Sequence, residues 1–206
     1  KTDEEKANGA ASISYTNQVV GADERAYLRA LPLHIRVEFQ LNQDKLQLLL
    51  VHGSPRRINE YLFEDREEKS MLRILRDADA DILCFGHTHK PYHRVFLANR
   101  ESSALHETHS PGGDAAGGAR QVRAAGDAQL PYYRHAINIG SVGKPKDGDP
   151  RGCYVLLTID EGSNANNKES VLVEFVRFEY DVEKAARAVE ESPLPGAYAE
   201  ALRKAK

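Results

Sequence analysis

Short apolar runs separated by polar turns recur along the chain and predict strands alternating with helices. The runs of strand length are rich in Val, Ile, Leu, Phe and Tyr. They lie near residues 34–41, 45–51, 81–86, 92–98, 135–139, 152–159 and 170–180. Helices are expected over residues 23–31 and 66–78, and as a pair after residue 181. Strands and helices mixed in this way predict an α/β (α+β) fold.

Helical spacing is clearest over residues 66–78. Its apolar stripe consists of Met71, Leu72, Leu75 and Ala78. Asp65 and Glu68 are placed as a capping box at its start, and Asp181 is expected to cap the first helix of the last pair. Residues 1–21 show no strand signal, and we expect a polar loop there.

Histidines directly follow two of the apolar strands. His52 ends one of them, and the sequence GHTH at residues 86–89 follows another. Residues i and i+2 of an extended chain lie on the same side, so His87 and His89 are expected to face one cavity, with Gly86 allowing a close turn. Ligand sites in open α/β sheets lie at the carboxyl ends of strands. Because this arrangement occurs twice, a metal site is favoured over solvated turn histidines, and imidazole suits zinc, manganese, iron and nickel alike.

A glycine-serine turn follows a third strand, in the sequence AINIGSVGK at residues 136–144. Backbone N–H groups of such turns can bind anions, and Asn138 and Ser141 can add side-chain hydrogen bonds. The turn and the loop after it carry three cations: Lys144, Lys146 and Arg151. These cations are candidates to offset phosphate charge, and a solvated loop is the alternative for each of them.

Three sequence motifs together resemble those of the calcineurin-like metallophosphoesterases, in particular the small bacterial and archaeal phosphodiesterase branch. They are VHGSP at 51–55, GHTHKP at 86–91 and NIGSVGKPKDGDPRGCYVLL at 138–157. The resemblance covers the chain from about residue 22 to its end, apart from one insertion. It implies a single domain with a four-layer αββα sandwich. Ile139 departs from the pattern, since the family commonly has proline at this position.

The resemblance also implies a dinuclear metal site and a reaction. In such an enzyme His52 and His87 bind one metal ion, and His89 binds the other. The residues around Asn138 and Ser141 line or support the site. Asn138, Ser141 and Arg151 are the expected substrate-binding residues, whereas the general acid stays unknown. Two divalent ions, of Mn, Zn, Fe or Ni, would activate a water that attacks phosphorus in a phosphodiester or phosphomonoester.

The aspartate motifs of the family are absent from the sequence. No Asp-x-His, Gly-Asp or Gly-Asn turn of the expected kind precedes residue 33, and three neutral histidines cannot bridge two divalent ions. We therefore expect residues 1–206 to be the C-terminal portion of the domain, with its N-terminal part missing from this chain. The alternative function is a catalytically inactive, metal-poor scaffold of the same fold that binds partner proteins.

Composition adds few constraints. The 206 residues suit one domain, and a formal net charge of −3 gives no signal for nucleic acid or an anionic membrane. No apolar run is long enough for a membrane helix, and Cys84 and Cys153 are expected to be buried thiols in a reducing cytoplasm. The expected partner is a small phosphate-ester or nucleotide substrate, and the sequence leaves a homo-oligomer open.

Residues 99–130 are rich in Gly, Ala, Ser and Arg and are expected to form a flexible insertion. A lid over the site is the alternative role for this segment. His106 and His109 have H-x-x-H spacing within it and are expected to be solvated.

Overall fold

The computed structural model describes residues 2–42, 44–98 and 130–206. Helices lie at both ends of the chain and once between the strands. In chain order the elements are α1 (Asp3–Val19), α2 (Ala22–Ala30), β1 (His34–Gln40), β2 (Lys45–Val51), α3 (Glu68–Asp77), β3 (Ile82–Phe85), β4 (Tyr92–Ala98), β5 (Tyr132–Asn138), β6 (Gly152–Thr158), a 3₁₀ turn (Lys168–Ser170), β7 (Leu172–Phe178), α4 (Val182–Glu190) and α5 (Ala197–Lys204).

The strands form two sheets. Five of them pair in the order β1-β2-β3-β5-β4, and β6 and β7 form a separate antiparallel pair. Within the large sheet β2, β3 and β5 are parallel to one another, whereas β1 and β4 pair antiparallel at the edges. The predicted hairpin of the first two strands is confirmed, with His34 opposite Val51. The mixed α/β class predicted from the sequence is confirmed as well.

Two apolar layers hold the sheets in place. On one face of the large sheet, α3 packs the buried side chains Met71, Ile74 and Leu75 against the sheet. On the other face, side chains from β2, β3 and β5 pack against the inner face of the small sheet, giving successive α, β and β layers. The residues of this second core include Leu46, Leu48, Ile82, Cys84, Ile137, Val155, Leu157, Val173 and Phe175. Each large apolar side chain buried in this way contributes about 1.5–3 kcal/mol.

Two local predictions are wrong. Residues 3–19 form helix α1 and not a loop, and the segment has no apolar stripe that a periodicity argument would detect. Helix α3 begins at Glu68 with Glu67 as its N-cap, and no side chain caps it, so the expected capping box of Asp65 and Glu68 does not form.

The C-terminal helices pack beside the loop that follows β5. Asp181 caps α4 as predicted, accepting the N–H of Lys184 at 2.8 Å. The N–H of Gly148 donates to the carbonyl of Ala205 just after α5 (3.1 Å), and Lys144 Nζ lies 4.5 Å from the ring centroid of Tyr198. Helix α5 thereby supports the loop that carries the predicted substrate-binding residues.

Most of the predicted insertion, including His106 and His109, lies outside the described residues. Within the described ranges, no helix is long and apolar enough to cross a membrane.

Candidate metal centre

The three predicted motifs meet at one edge of the large sheet. Parallel pairing of β2, β3 and β5 brings their carboxyl ends together. Backbone hydrogen bonds join the turns that follow: Gly86 N–H donates to the carbonyl of His52 (2.9 Å), and Ile139 N–H donates to the carbonyl of Phe85 (2.8 Å). The shared strand edge expected from the sequence is therefore observed.

His52 and His87 form a contact pair at this edge. His52 Nε2 lies 3.0 Å from His87 Nδ1, with the rings inclined at 67°. His52 is exposed and His87 is half-buried. Nε2 of His87 is buried and forms no well-aligned hydrogen bond with the described residues, although the Asn59 carbonyl lies near enough to the ring to act on its pKa. When Nδ1 donates to His52, this Nε2 carries an unused lone pair, which is the form of imidazole that binds a metal.

The backbone of the GHTH turn is strained at both histidines. His87 has φ 66° and His89 has φ 61°, in the left-handed region that costs a residue with a side chain about 1–2 kcal/mol. The turn is therefore not the extended segment assumed from the i, i+2 spacing. Gly86 has no such φ, and a Cβ there would make ordinary contacts at 3.8 Å and beyond. The unfavourable backbone conformation is therefore at the two histidines. Strained residues of this kind cluster at functional sites.

His89 is oriented by the loop after β5. Its Nδ1 lies 2.6 Å from the carbonyl oxygen of Lys144 and so donates to it, while its own carbonyl accepts the N–H of Lys146 at 3.1 Å. A backbone carbonyl on one ring nitrogen fixes the tautomer and leaves Nε2 with a lone pair, which is the usual second-shell arrangement of a metal-binding histidine.

Electrostatics favour the neutral form of both turn histidines. Burial lowers the pKa of His87, the neighbouring His52 lowers it further, and the backbone carbonyl of Asn59 partly opposes this. Burial also lowers the pKa of His89, against the raising effect of the Lys144 carbonyl, and the Lys146 charge adds to the lowering. Metal ions compete with protons for imidazole, so these shifts favour metal binding near neutral pH.

Asn138 joins two of the turns from within the core. It is fully buried, and its amide donates to Thr88 Oγ1 (2.8 Å) and to the carbonyl of Gly86 (3.1 Å). Its oxygen accepts the N–H of Gly140 at 3.1 Å. With these bonds made, the amide has no exposed group to offer a substrate. The structure therefore favours a supporting role for Asn138 over direct substrate binding.

The other predicted substrate-binding residues lie on the same loop but make local contacts. Ser141 Oγ accepts the N–H of Lys144 at 3.0 Å. The Arg151 guanidinium forms an exposed ion pair with Asp149 at 2.7 Å. Neither contact involves the histidines, and their role in substrate binding stays a prediction. Lys146 is the cation whose charge acts on both His87 and His89.

The loop after His52 is a part of the site that the sequence reasoning did not identify. A Cβ at Gly53 would lie 2.5 Å from the carbonyl oxygen of Ile58, so only glycine fits there. Ser54 Oγ donates to Glu60 Oε2 (2.6 Å) and accepts the N–H of Arg57 (3.0 Å). This folded loop places the Tyr61 ring 4.2 Å from that of His87. The sequence signal for this loop was the placement of two aromatic residues on either side of Leu62, in Glu-Tyr-Leu-Phe at residues 60–63.

The residues present fit one part of a metal centre. Neutral imidazoles from His52, His87 and His89 suit divalent transition metals, and the buried unpaired nitrogen of His87 is the clearest vacant donor. Among the residues that the structure describes, however, no three His, Cys, Asp or Glu side chains are grouped closely enough to hold an ion together. No carboxylate joins the histidine pair, so the described residues do not supply a bridging ligand for two ions.

Comparison with known proteins supports the family resemblance. No family model matches the chain. The chain is 27% identical over 191 residues to the uncharacterized protein MJ0912 of Methanocaldococcus jannaschii, covering 91% of this chain and 62% of that protein. It therefore spans less than two thirds of the length of this relative.

Two solved structures share the fold. A metallophosphoesterase from Sphaerobacter thermophilus superposes with a TM-score of 0.59 at 26% identity, covering 94% of this chain and 67% of that one. The hypothetical protein PH1004 from Pyrococcus horikoshii OT3 gives a TM-score of 0.59 at 18% identity, covering 93% and 58%. With the three motifs at one sheet edge, these likenesses show that the chain has the fold of the calcineurin-like metallophosphoesterases.

Proposed function

We propose that this chain is part of a metal-dependent phosphoesterase that hydrolyses a phosphodiester or a phosphomonoester. One observation carries the proposal: His52 and His87 are in contact, and His89 lies on the same strained turn, at the carboxyl edge of a sheet shared with a metallophosphoesterase. Strain of this kind persists only where the surrounding structure holds it.

In this proposal His52, His87 and His89 are ligands of a centre for two divalent ions of Mn, Zn, Fe or Ni. When bound, such ions stabilise charge on the phosphoryl oxygens and lower the pKa of water. The remaining ligands, including a bridging carboxylate, are proposed to come from residues outside the described part of the chain.

The described residues have three tasks in this scheme. The Lys144 carbonyl orients the His89 ring through Nδ1. Asn138 fixes the GHTH turn against the turn after β5. Lys146 places positive charge near both turn histidines, where it would attract a phosphate. Ser141 and Arg151 are proposed to contact the substrate from the same loop.

The test is hydrolysis of bis(p-nitrophenyl) phosphate and p-nitrophenyl phosphate by the full-length protein. Activity that requires added Mn²⁺ or Zn²⁺, and that disappears with EDTA, supports the proposal. Unchanged activity in EDTA contradicts it. A folded, metal-free protein with no activity under any metal would instead favour the metal-poor scaffold.

A further inference from the structure

We propose that Tyr61 and Phe63 form a stacking platform for a planar aromatic group, such as a nucleobase, carried by the phosphate-ester substrate. The inference rests on the proposed function and narrows its substrate class. It begins from the geometry of two exposed rings beside the histidine pair.

The two rings are parallel and close. Tyr61 and Phe63 are inclined at only 4°, with centroids 5.6 Å apart, and Tyr61 lies 4.2 Å from the ring of His87. The three rings therefore form one continuous aromatic surface that starts at a proposed metal ligand. Because Tyr61 contacts both of the other rings, a planar group would stack on Phe63, at the end of this surface away from His87.

Both rings are held out of the core by the residue between them. Leu62 is fully buried, and its carbonyl accepts the hydroxyl of Tyr92 at 2.9 Å. Tyr61 and Phe63 on either side are 43% and 46% exposed. Such alternation directs both rings to the same side. Because Leu62 anchors the backbone, the rings are pre-positioned, so binding to them would cost little ordering entropy.

A pocket on the same loop supplies positive charge. It has a volume of about 580 Å³ and is lined by Arg56, Arg57, Asn59 and Glu60. Arg56 is paired with Glu60, whereas the loop uses only the backbone of Arg57, whose N–H and carbonyl bond to Ser54. The exposed Arg57 side chain forms no ion pair with the described residues, and it lies on the same loop as Tyr61, so it is available to an anionic group of the ligand. An anionic group and a planar ring on one ligand would match these two features together.

Binding of matched ligands by calorimetry, in EDTA so that neither phosphate ester is hydrolysed, tests the platform. Adenosine 5′-monophosphate and ribose 5-phosphate carry the same phosphate and sugar and differ by the base. Base stacking on aromatic side chains predicts that the full-length wild-type protein binds the nucleotide about tenfold or more tightly. Phe63→Leu should reduce this ratio to near one while leaving the affinity for ribose 5-phosphate unchanged. The control Tyr154→Leu, which removes another ring that is 41% exposed and adjacent to an aromatic neighbour, should leave the ratio intact.

Equal affinity of the wild-type protein for the two ligands would overturn the platform, as would an unchanged ratio in Phe63→Leu. Adenosine and ribose provide the same comparison without phosphate, and Phe63→Leu should weaken adenosine binding alone. If Phe63→Leu loses the selectivity for adenosine and the wild-type protein hydrolyses no phosphate ester, the platform is supported and the proposed function is contradicted. If the wild-type protein hydrolyses phosphate esters but binds ligands with and without the base equally, the proposed function is supported and the platform is overturned.

Discussion

Two histidine pairs among the described residues have the same atomic contact and very different surroundings. In each, Nε2 of one ring lies 3.0 Å from Nδ1 of the other: His52 with His87, and His93 with His135. The first pair joins turns at the carboxyl edge of the sheet. The second lies on adjacent antiparallel strands, with its rings stacked at 17° and His135 only 3% exposed.

The difference shows that setting, more than histidine spacing, distinguishes a metal site from a structural pair. His87 has a left-handed backbone and a buried nitrogen without a described partner. His135 has neither feature, and burial together with the neighbouring His93 lowers its pKa to about 4. The first pair is strained and retains a vacant donor, whereas the second is an ordinary part of a sheet. Four measurements test this difference.

The largest expected effect is on activity. His87→Ala removes a histidine of the first pair and should lower kcat/KM for bis(p-nitrophenyl) phosphate by more than about 100-fold, since loss of a second-shell contact alone typically costs 10–100-fold. His93→Ala removes a histidine of the other pair and should leave kcat/KM within about twofold. Steady-state kinetics of the full-length variants at saturating Mn²⁺ measure both. Similar losses in the two variants would remove the distinction between the pairs.

The next largest effect is on the free energy of unfolding, at the asparagine that bonds to the turn carrying His87. Asn138→Leu removes three buried hydrogen bonds, to the carbonyl of Gly86, to Thr88 Oγ1 and from the N–H of Gly140, and should lower the free energy of unfolding by about 2–4 kcal/mol. Urea denaturation measures this change. Asn166→Leu is the control, because the side-chain oxygen of Asn166 is buried without a partner among the described residues. We expect Asn166→Leu to lower the free energy of unfolding much less. Equal decreases in the two variants would show that the Asn138 hydrogen bonds do not hold the turns together.

The second pair should make stability depend on pH. Unfolded His135 takes up a proton below its ordinary pKa near 6.5, while the folded protein resists protonation until about pH 4. Stability from this residue is therefore fully present above pH 6.5 and is lost as the pH falls toward 4. The loss at pH 5 is about 2 kcal/mol. Urea denaturation of wild type and His135→Gln at pH 7 and pH 5 should show a smaller decrease in the variant. Parallel pH profiles would contradict the prediction.

The smallest effect isolates backbone strain. His87→Gly and His87→Ala both remove the ring, but only glycine adopts φ 66° without cost, so the Gly variant should be more stable by about 1 kcal/mol. At His135, within a strand, the order should reverse, with Ala more stable by about 0.5–1 kcal/mol. Thermal or urea denaturation of the four variants measures both differences. The same order at both positions would show that the turn is not strained.

Much of the fold could be predicted because hydrophobic periodicity marks buried strands directly. The parallel strands and their shared edge followed from apolar runs that end in histidine or glycine. Helix α1 could not be predicted in this way, because a helix without an apolar face leaves no periodic signal.

The site was predictable in its residue types but not in its geometry. The motifs indicated His52, His87 and His89, but the left-handed turn and the contact of His52 with His87 depend on tertiary packing. Asn138 was expected to bind substrate, and the structure instead shows it buried and bonded to both turns. The sequence shows which hydrogen-bonding groups an asparagine has, but it does not show which groups they bond to in the folded protein.

The central claim is that the His52–His87 pair belongs to a metal centre. Its most direct test is the number of transition-metal ions per chain, measured by mass spectrometry on the full-length protein after loading and desalting. We expect about two ions per chain in the wild type and in His93→Ala, and about one in His87→Ala, which removes a ligand of one ion only. Full metal content in His87→Ala, or a wild type that retains no metal, would contradict this claim.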